Sequence, residues 1–175
     1  SRCLEDATPL AMASPYSKAK IELHEQLKGT VAKVSGASLT WSRIFFPYGP
    51  GEAPGRLVPY TIGALLRGEE VNCSDGTQRR DYIHAGDVAS ALAILLENPR
   101  AAGTFNVASG KAVPVREIIE LCRTFTDPSG TINYGAIPPR PGEPELVEAC
   151  TRKLRSLGWE PRWSLEAGIR DYCAL

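Results

Sequence analysis

The chain has 175 residues, of which 43% are hydrophobic and 23% are charged, as in one globular domain or two small lobes that share a core. Twenty basic side chains balance twenty acidic ones, so no net field favours binding to nucleic acid. No apolar run reaches the roughly 18 residues that cross a bilayer, and the N-terminus lacks a signal-peptide profile.

The five cysteines are widely spaced and never form a C-x-x-C pair. Their odd number and their spacing argue against a disulfide framework and against a structural zinc site. We therefore expect a cytoplasmic protein with reduced thiols, no metal site, and neither nucleic acid nor a membrane as a partner.

Predicted helices and strands alternate along the chain. Ser14 is the predicted N-cap and Pro15 the first residue of a helix that runs to Val34, after which Gly36 ends it. The later elements are a strand at 38–46, a helix at 57–67, strands at 71–73 and 81–83, a helix at 87–96, a strand at 104–107, a helix at 114–125, a strand at 131–134, and short helices at 151–157 and 164–172. This alternation favours an α/β fold with partly parallel strands.

The first predicted helix carries an apolar row at helical spacing. The row passes through Leu23, Leu27, Val31 and Val34. Extended backward, it includes Lys20 and Tyr16, although burying an unpaired ammonium costs on the order of several kcal/mol. An ammonium one turn from a phenol favours the tyrosinate, which can exchange a proton with a hydroxyl or a ketone. The alternative is that Lys20 reaches solvent while Tyr16 packs as an amphipathic core residue.

Several longer motifs give this pair a context. In chain order they are E-D-A-T-P (5–9), S-P-Y-S-K-A-K (14–20), R-I-F-F-P-Y-G-P (43–50), D-G-T-Q-R-R-D-Y-I-H-A-G-D-V (75–88), R-P-G-E (140–143) and L-G-W-E-P (157–161). Their order and content resemble those of the extended short-chain dehydrogenase/reductases, and within them the NAD-dependent nucleotide-sugar epimerase/dehydratase family. The motifs span nearly the whole chain.

This resemblance implies catalytic and cofactor-binding residues. Tyr16 would exchange a proton with a sugar hydroxyl or keto group, and Lys20 would support it while binding the nicotinamide ribose. Both are therefore predicted as catalytic and as cofactor-binding residues. Pro47 matches a proline that lies against the nicotinamide in some relatives. The cofactor of the complete enzyme would be NAD or NADP.

The resemblance also implies a site for a nucleotide-diphospho-sugar. Arg80 and Arg140 would clamp the diphosphate, because a planar guanidinium pairs with phosphate oxygens through two hydrogen bonds. Glu143 would accept a hydrogen bond from a ribose hydroxyl. Phe46 stands where many relatives carry an asparagine that binds the diphosphate, and a phenyl ring cannot donate that bond.

The family's glycine-rich dinucleotide turn does not occur in this sequence. The resemblance therefore implies a partial Rossmann-like fold with a small α/β substrate lobe, the C-terminal portion of a longer enzyme. Residues 1–50 would hold the catalytic helix and the following strand, and residues 51–175 mainly the sugar-nucleotide lobe. We expect this chain alone to bind no NAD or NADP, and to expose a strand edge that another copy or a companion chain covers.

Two functions are consistent with these features. The first is a nucleotide-sugar epimerase, dehydratase or 4-ketoreductase that uses Tyr16 and Lys20, inactive without the missing half. The alternative is a non-catalytic module that binds a sugar nucleotide or a partner.

Four further side chains are interpreted structurally. His84 is predicted to be a hydrogen-bonded imidazole at a strand end, and Asp87 the cap of the next helix. Trp159 is predicted to be a hydrophobic anchor, and His24 to be solvated on the first helix.

Overall fold

The computed structural model describes residues 2–12 and 14–174, and within them helices and strands alternate as predicted. The helices are α1 (Pro15–Val31), α2 (Leu57–Leu66), α3 (Ala85–Glu97), α4 (Val115–Thr126), α5 (Arg152–Arg155) and α6 (Leu165–Cys173). The strands are β1 (Thr40–Ile44), β2 (Phe46–Tyr48), β3 (Val71–Cys73), β4 (Arg79–Arg80), β5 (Tyr82–His84), β6 (Gly103–Val107), β7 (Val113–Pro114), β8 (Ile132–Tyr134) and β9 (Leu146–Val147). No helix in this part of the chain is long and apolar enough to cross a bilayer.

Most strands pair in parallel, which confirms the α/β class. β1 pairs with β6, β2 with β5, and β3 with β8, each in parallel. β4 lies between β9, to which it is parallel, and β7, to which it is antiparallel. Parallel neighbours require crossover connections, and the intervening helices supply them. β4, β7 and β9 have only two residues each and were not predicted.

The strand predicted at 38–46 is wrong in its extent, because the chain changes partners within it. β1 pairs with β6 through Ile44, and the Phe45 amide still donates to the Val107 carbonyl at 3.0 Å. From Phe46 onward the chain pairs with β5 instead. Within the described residues β1 has a neighbour only on its β6 side, so its other edge is open.

Helix α1 begins as predicted but packs on a different face. Ser14 accepts from the Ser17 amide at 3.1 Å and Ser17 Oγ lies 3.0 Å from the Ser14 amide, a reciprocal capping box. The buried residue of the helix is His24, whose ring stacks on Trp41 of β1 with centroids 4.5 Å apart. The prediction that His24 is solvated is therefore wrong, and burial lowers the pKa of its imidazole.

The row through Tyr16, Lys20 and Leu23 does not face the core, which corrects the sequence interpretation. Tyr16 is 72% exposed and Leu23 is 41% exposed, and Lys20 is also exposed. Because His24, one residue after Leu23, makes the contact with Trp41 of β1, the predicted row lies beside the contact face. Lys20 therefore needs no compensation for burial.

The start of α3 is capped by His84 and not by Asp87, so that prediction is also wrong. His84 Nδ1 accepts from the Gly86 amide at 3.2 Å. Asp87 lies inside the first turn, where it is buried and accepts from the amides of Arg162 and Trp163 at 2.9 and 3.1 Å. Asp87 therefore ties α3 to the C-terminal segment, while the cap comes from the last residue of β5.

Two large apolar clusters form the core. The first packs β5, α3, β6 and the C-terminal segment through Ile83, Ala91, Leu95, Ala101, Phe105, Val107, Leu154 and Trp159. The second packs β2, α2, α4 and α6 through Tyr48, Val58, Ile62, Val113, Ile118, Cys122 and Ile169. Trp159 is 1% exposed and its indole N–H donates to Ser90 Oγ at 3.0 Å, which confirms its role as an anchor.

We predict that Gly168→Ala destabilises the chain, by roughly 1–3 kcal/mol as for an overpacked core. A Cβ at Gly168 would overlap the Tyr48 hydroxyl and lie 3.0 Å from its Cζ, and the Tyr48 ring is too buried to move aside. Gly29→Ala in α1 is the matched control, since a Cβ there meets open space and alanine favours a helix by up to about 1 kcal/mol. Urea unfolding of both variants measures the difference. Equal stability of the two variants would contradict the packing at Tyr48.

Candidate functional site

A cavity of about 400 Å³ contains all four residues predicted to bind the nucleotide sugar. They are Phe46, Arg80, Arg140 and Glu143. They come from strands β2 and β4 and from the loop before β9, so residues nearly a hundred positions apart line one space. The neighbouring walls carry Tyr60 and Tyr82, aromatic side chains that offer flat apolar surface to a ligand.

Arg80 and Glu143 form an ion pair at the base of this cavity. Arg80 Nη2 donates to Glu143 Oε1 at 2.6 Å, and the two side chains are 5% and 31% exposed. Arg80 Nη1 also donates to its neighbour's carbonyl, that of Arg79, at 2.8 Å. Much of the donor capacity of Arg80 is thus directed into the protein. The ion pair with Glu143 therefore fixes the position of the Arg80 guanidinium at the base of the cavity.

Phe46 takes part in the same cluster. The Arg80 guanidinium lies 5.7 Å from the Phe46 ring centroid, within the range of a cation–π contact. The Phe46 and Tyr82 rings are 5.6 Å apart, as expected for cross-strand neighbours on β2 and β5. Burial raises the pKa of Tyr82 to about 12, so its phenol stays protonated at neutral pH.

Arg140 differs from Arg80 in its surroundings. It is exposed, and no acidic side chain among residues 2–12 and 14–174 forms a salt bridge with it. Gly142, at φ +73°, makes a turn in which the Glu143 amide donates to the Arg140 carbonyl at 3.1 Å. The turn places the exposed Arg140 guanidinium three residues along the chain from Glu143, whose carboxylate pairs with Arg80.

Asp81 positions Arg80 and Tyr82, and the sequence interpretation assigned it no role. Its side chain is fully buried and accepts from the Ser109 amide and hydroxyl, the Gly110 amide and the Ala149 amide, at 2.6–3.2 Å. Burial raises the pKa of Asp81, and these hydrogen bonds offset part of that rise. The sequence did contain a signal for this role, because Asp81 is an acidic residue in a predicted strand. A carboxylate that is buried there needs hydrogen-bond donors around it.

Tyr16 and Lys20 line a second cavity, of about 480 Å³, between α1 and β1. Lys20 Nζ lies 5.8 Å from the Tyr16 ring centroid, so the two groups share one helix face as the spacing predicted. His24 and Trp41 line the same cavity. Pro47 is exposed on β2 and lines neither cavity. The structure thus groups the predicted residues into two sites and leaves Pro47 outside both.

Comparison with known families shows which family the chain belongs to. The model of the NAD dependent epimerase/dehydratase family matches residues 3–108, more than half of the chain. The chain belongs to this family. The matched segment includes α1 with Tyr16 and Lys20, and β4 with Arg80.

Individual epimerase/dehydratase relatives agree with this assignment. CDP-abequose synthase from Salmonella muenchen is 33% identical over 76% of this chain. The crystal structure of UDP-glucose 4-epimerase from Thermotoga maritima with UDP-glucose matches 98% of the chain with a TM-score of 0.88 and 29% identity. The Thermus thermophilus UDP-glucose 4-epimerase, in complex with NAD, matches 99% with a TM-score of 0.88 and 27% identity. These Rossmann-like neighbours confirm the fold class.

The chain spans about half the length of these epimerase/dehydratase relatives. It covers 46% of the CDP-abequose synthase, 56% of the Thermotoga epimerase and 57% of the Thermus epimerase. The match therefore shows the fold and the family. It does not show one reaction, because the relatives include a synthase and epimerases.

We predict that Glu143→Ala destabilises the chain by roughly 1–3 kcal/mol, because the buried Arg80 guanidinium loses its carboxylate. Replacing both residues, as Arg80→Met with Glu143→Ala, should recover most of the loss. Glu145→Ala is the matched control, since this exposed side chain makes no ion pair with the described residues. Urea unfolding compares the variants. If Glu143→Ala is as stable as Glu145→Ala, the pair behaves as a surface salt bridge.

Proposed function

We propose that this chain forms the nucleotide-sugar-binding half of an NAD(P)-dependent epimerase, dehydratase or 4-ketoreductase. The observation that carries the proposal is the meeting of Phe46, Arg80, Arg140 and Glu143 in one cavity. An open guanidinium beside a paired one suits a diphosphate, since both can donate to its oxygens. The relatives solved with UDP-glucose and with UDP-glucuronic acid and NAD support this class of ligand.

Within this proposal, residues 51–175 mainly bind the sugar nucleotide and residues 1–50 supply the catalytic helix. Tyr16 donates or accepts the proton at the sugar oxygen, and Lys20, whose ammonium lies 5.8 Å from the Tyr16 ring centroid, supports it from the same helix face. Lys20 and Tyr16, which line one cavity, would hold the nicotinamide ribose. When bound, the nicotinamide takes up or returns a hydride at the sugar carbon.

The proposed cofactor site is only partly supplied by this chain. The sequence has no glycine-rich turn to receive a pyrophosphate, so catalysis requires a second half carrying that turn. The open edge of β1 and the exposed face of α1, with Tyr16 and Leu23, are the surfaces where that half would dock. We propose that another copy or a companion chain covers this edge in its absence.

A second candidate function is a non-catalytic module that binds a sugar nucleotide. The 72% exposure of Tyr16 favours it for the chain alone, because a solvated phenol lacks the enclosed site in which proton transfer is efficient. The two functions share the Arg80 and Arg140 cavity and differ in whether Tyr16 takes part in turnover.

We predict that the chain binds UDP-glucose and that Arg140→Ala weakens this binding by about 10- to 100-fold. Loss of a charged hydrogen bond costs roughly 1.5–3 kcal/mol, and 1.4 kcal/mol is a factor of about ten. Arg162→Ala is the matched control, an exposed arginine outside the cavity. Isothermal titration calorimetry measures the three dissociation constants. No saturable binding by the unchanged chain, or equal affinities for both variants, would contradict the proposed site.

For the catalytic role, we predict that Tyr16→Phe and Lys20→Met abolish turnover when this chain is combined with a glycine-loop half. Each variant removes the proton-transfer group or its supporting charge while leaving the Arg80 and Arg140 cavity intact. Lys18→Met is the matched control, since Lys18 lies exposed on the same helix, 4.0 Å from Glu22. Steady-state kinetics with UDP-glucose and NAD, beside calorimetric affinities, separate turnover from binding. A Tyr16→Phe variant that keeps most of its kcat would contradict the proton-transfer role of Tyr16, whereas absence of turnover by the unchanged protein would favour the non-catalytic module.

A further inference from the structure

Helix α1, which carries Tyr16 and Lys20, rests on the sheet through one buried side chain. Within the 17 residues of this helix, His24 is the buried one. The other residues on the same face of the helix are half-buried: Ser17, Ile21, Leu27 and Val31. The seating of α1 against β1 therefore depends on His24 more than on any other residue of the helix.

The contact between His24 and Trp41 is directional. The two rings are nearly parallel, with 19° between their planes and 4.5 Å between their centroids. Trp41 belongs to β1 and lies opposite Thr104 of β6, so the sheet holds its backbone in place. Aliphatic contacts are non-directional, whereas paired rings prefer particular relative orientations. The stack thus restricts the rotation of α1 about its own axis.

Polar contacts do not account for the position of His24. Glu25 Oε1 lies 4.0 Å from its Nδ1, beyond hydrogen-bond distance, and the described part of the chain gives the imidazole no hydrogen bond. Burial lowers the pKa of His24, so the ring is neutral at neutral pH. Its flat shape against Trp41 is therefore the property that holds it there.

The rotation of α1 decides where Tyr16 and Lys20 lie. With 3.6 residues per turn, residues four positions apart differ by about 40° around a helix. Because His24 faces β1, Lys20 lies about 40° and Tyr16 about 80° to one side of the contact. This agrees with the 72% exposure of Tyr16, and all three residues line the cavity between α1 and β1.

A small rotation of α1 would displace the Tyr16 and Lys20 side chains. Side chains extend about 5–6 Å from a helix axis, so a turn of about 20° moves their outer atoms by about 2 Å. A misplacement of about 1 Å can cost about 100-fold in the rate of a catalysed step. A contact two turns away from Tyr16 can therefore control its reactivity.

We propose that His24 is a positioning residue, whose ring, stacked on Trp41, sets the rotation of α1 and with it the direction of Tyr16 and Lys20. The inference rests on the proposed function, in which Tyr16 and Lys20 act on the ligand while His24 contacts neither substrate nor cofactor. A leucine at this position would occupy similar space and leave the helix free to turn.

Replacement of the ring tests this role in turnover. With this chain combined with a glycine-loop half, we expect His24→Leu to lower kcat for UDP-glucose by about 10- to 100-fold and to leave KM within about twofold. His24→Phe keeps a flat ring and retains most of kcat. Gln26→Leu is the matched control, because Gln26 is exposed on the same helix. A role in stability alone would lower the melting temperature and leave the kcat of the folded protein unchanged.

Trp41 supplies a second test, because it carries the other ring of the stack. Trp41→Leu should lower kcat as His24→Leu does. If the two rings act as a unit, adding His24→Leu to Trp41→Leu has little further effect on kcat. Losses that multiply in the double variant would contradict a shared role.

Crystal structures of the 175-residue chain test the geometry without turnover. We expect α1 of His24→Leu to be rotated so that the Tyr16 hydroxyl moves by about 1 Å or more, and α1 of His24→Phe to superpose on that of the unchanged chain. An unmoved α1 in His24→Leu, an equal loss of kcat in His24→Phe, or a His24→Leu chain that does not fold would overturn the positioning role. Absence of turnover by the unchanged combined protein would instead overturn the proposed function, and the crystal structures would still decide whether the stack sets the rotation of α1.

Discussion

The buried Asp81 carboxylate is the constraint on which the rest of the site depends. Its two oxygens receive hydrogen bonds from Ser109, Gly110 and Ala149, and these residues follow β6 and β9. Because side chains alternate along a strand, fixing Asp81 inward turns Arg80 and Tyr82 toward the cavity. A single carboxylate, which pairs with no cation in the part of the chain that the structure describes, thus joins three segments and orients two cavity walls.

The two arginines of the cavity differ, because one is held in place by other side chains and the other is exposed to solvent. Arg80 is held by Glu143 and packs near Phe46, so it has a defined position and little freedom. Arg140 is exposed on a turn of the loop before β9, and it can approach a ligand with its guanidinium unpaired. In the proposed function, the base of the cavity recognises the shape of the ligand, the loop contributes charge, and Phe46 supplies apolar surface.

Sequence reasoning could place the cavity because its residues lie in local motifs. The D-G-T-Q-R-R-D-Y segment supplies Arg80 and the R-P-G-E segment supplies Arg140, and the fold brings these two arginines into one cavity as the resemblance implied. The sequence could not predict that the chain changes its strand partner at Phe46. An apolar run has the same pattern whichever strand it pairs with. That change depends on Asp81 and β5, which are nearly forty residues away.

Side chains near helix ends were the other source of error. His84 and Asp87 both occur where a cap is expected, and only the backbone path shows that His84 lies at the N-cap while Asp87 binds the C-terminal segment. His24 looked solvated because Trp41, its stacking partner, lies on the following strand and not on the same helix.

We propose that one cavity receives a nucleotide-diphospho-sugar between Arg80 and Arg140. A crystal structure of the chain soaked with UDP-glucose is the most direct test. We expect diphosphate density within hydrogen-bond distance of the Arg140 guanidinium, with the sugar beside Phe46 and Tyr82. Density for the ligand at another surface, with the Arg80 and Arg140 cavity empty at saturating concentration, would contradict it.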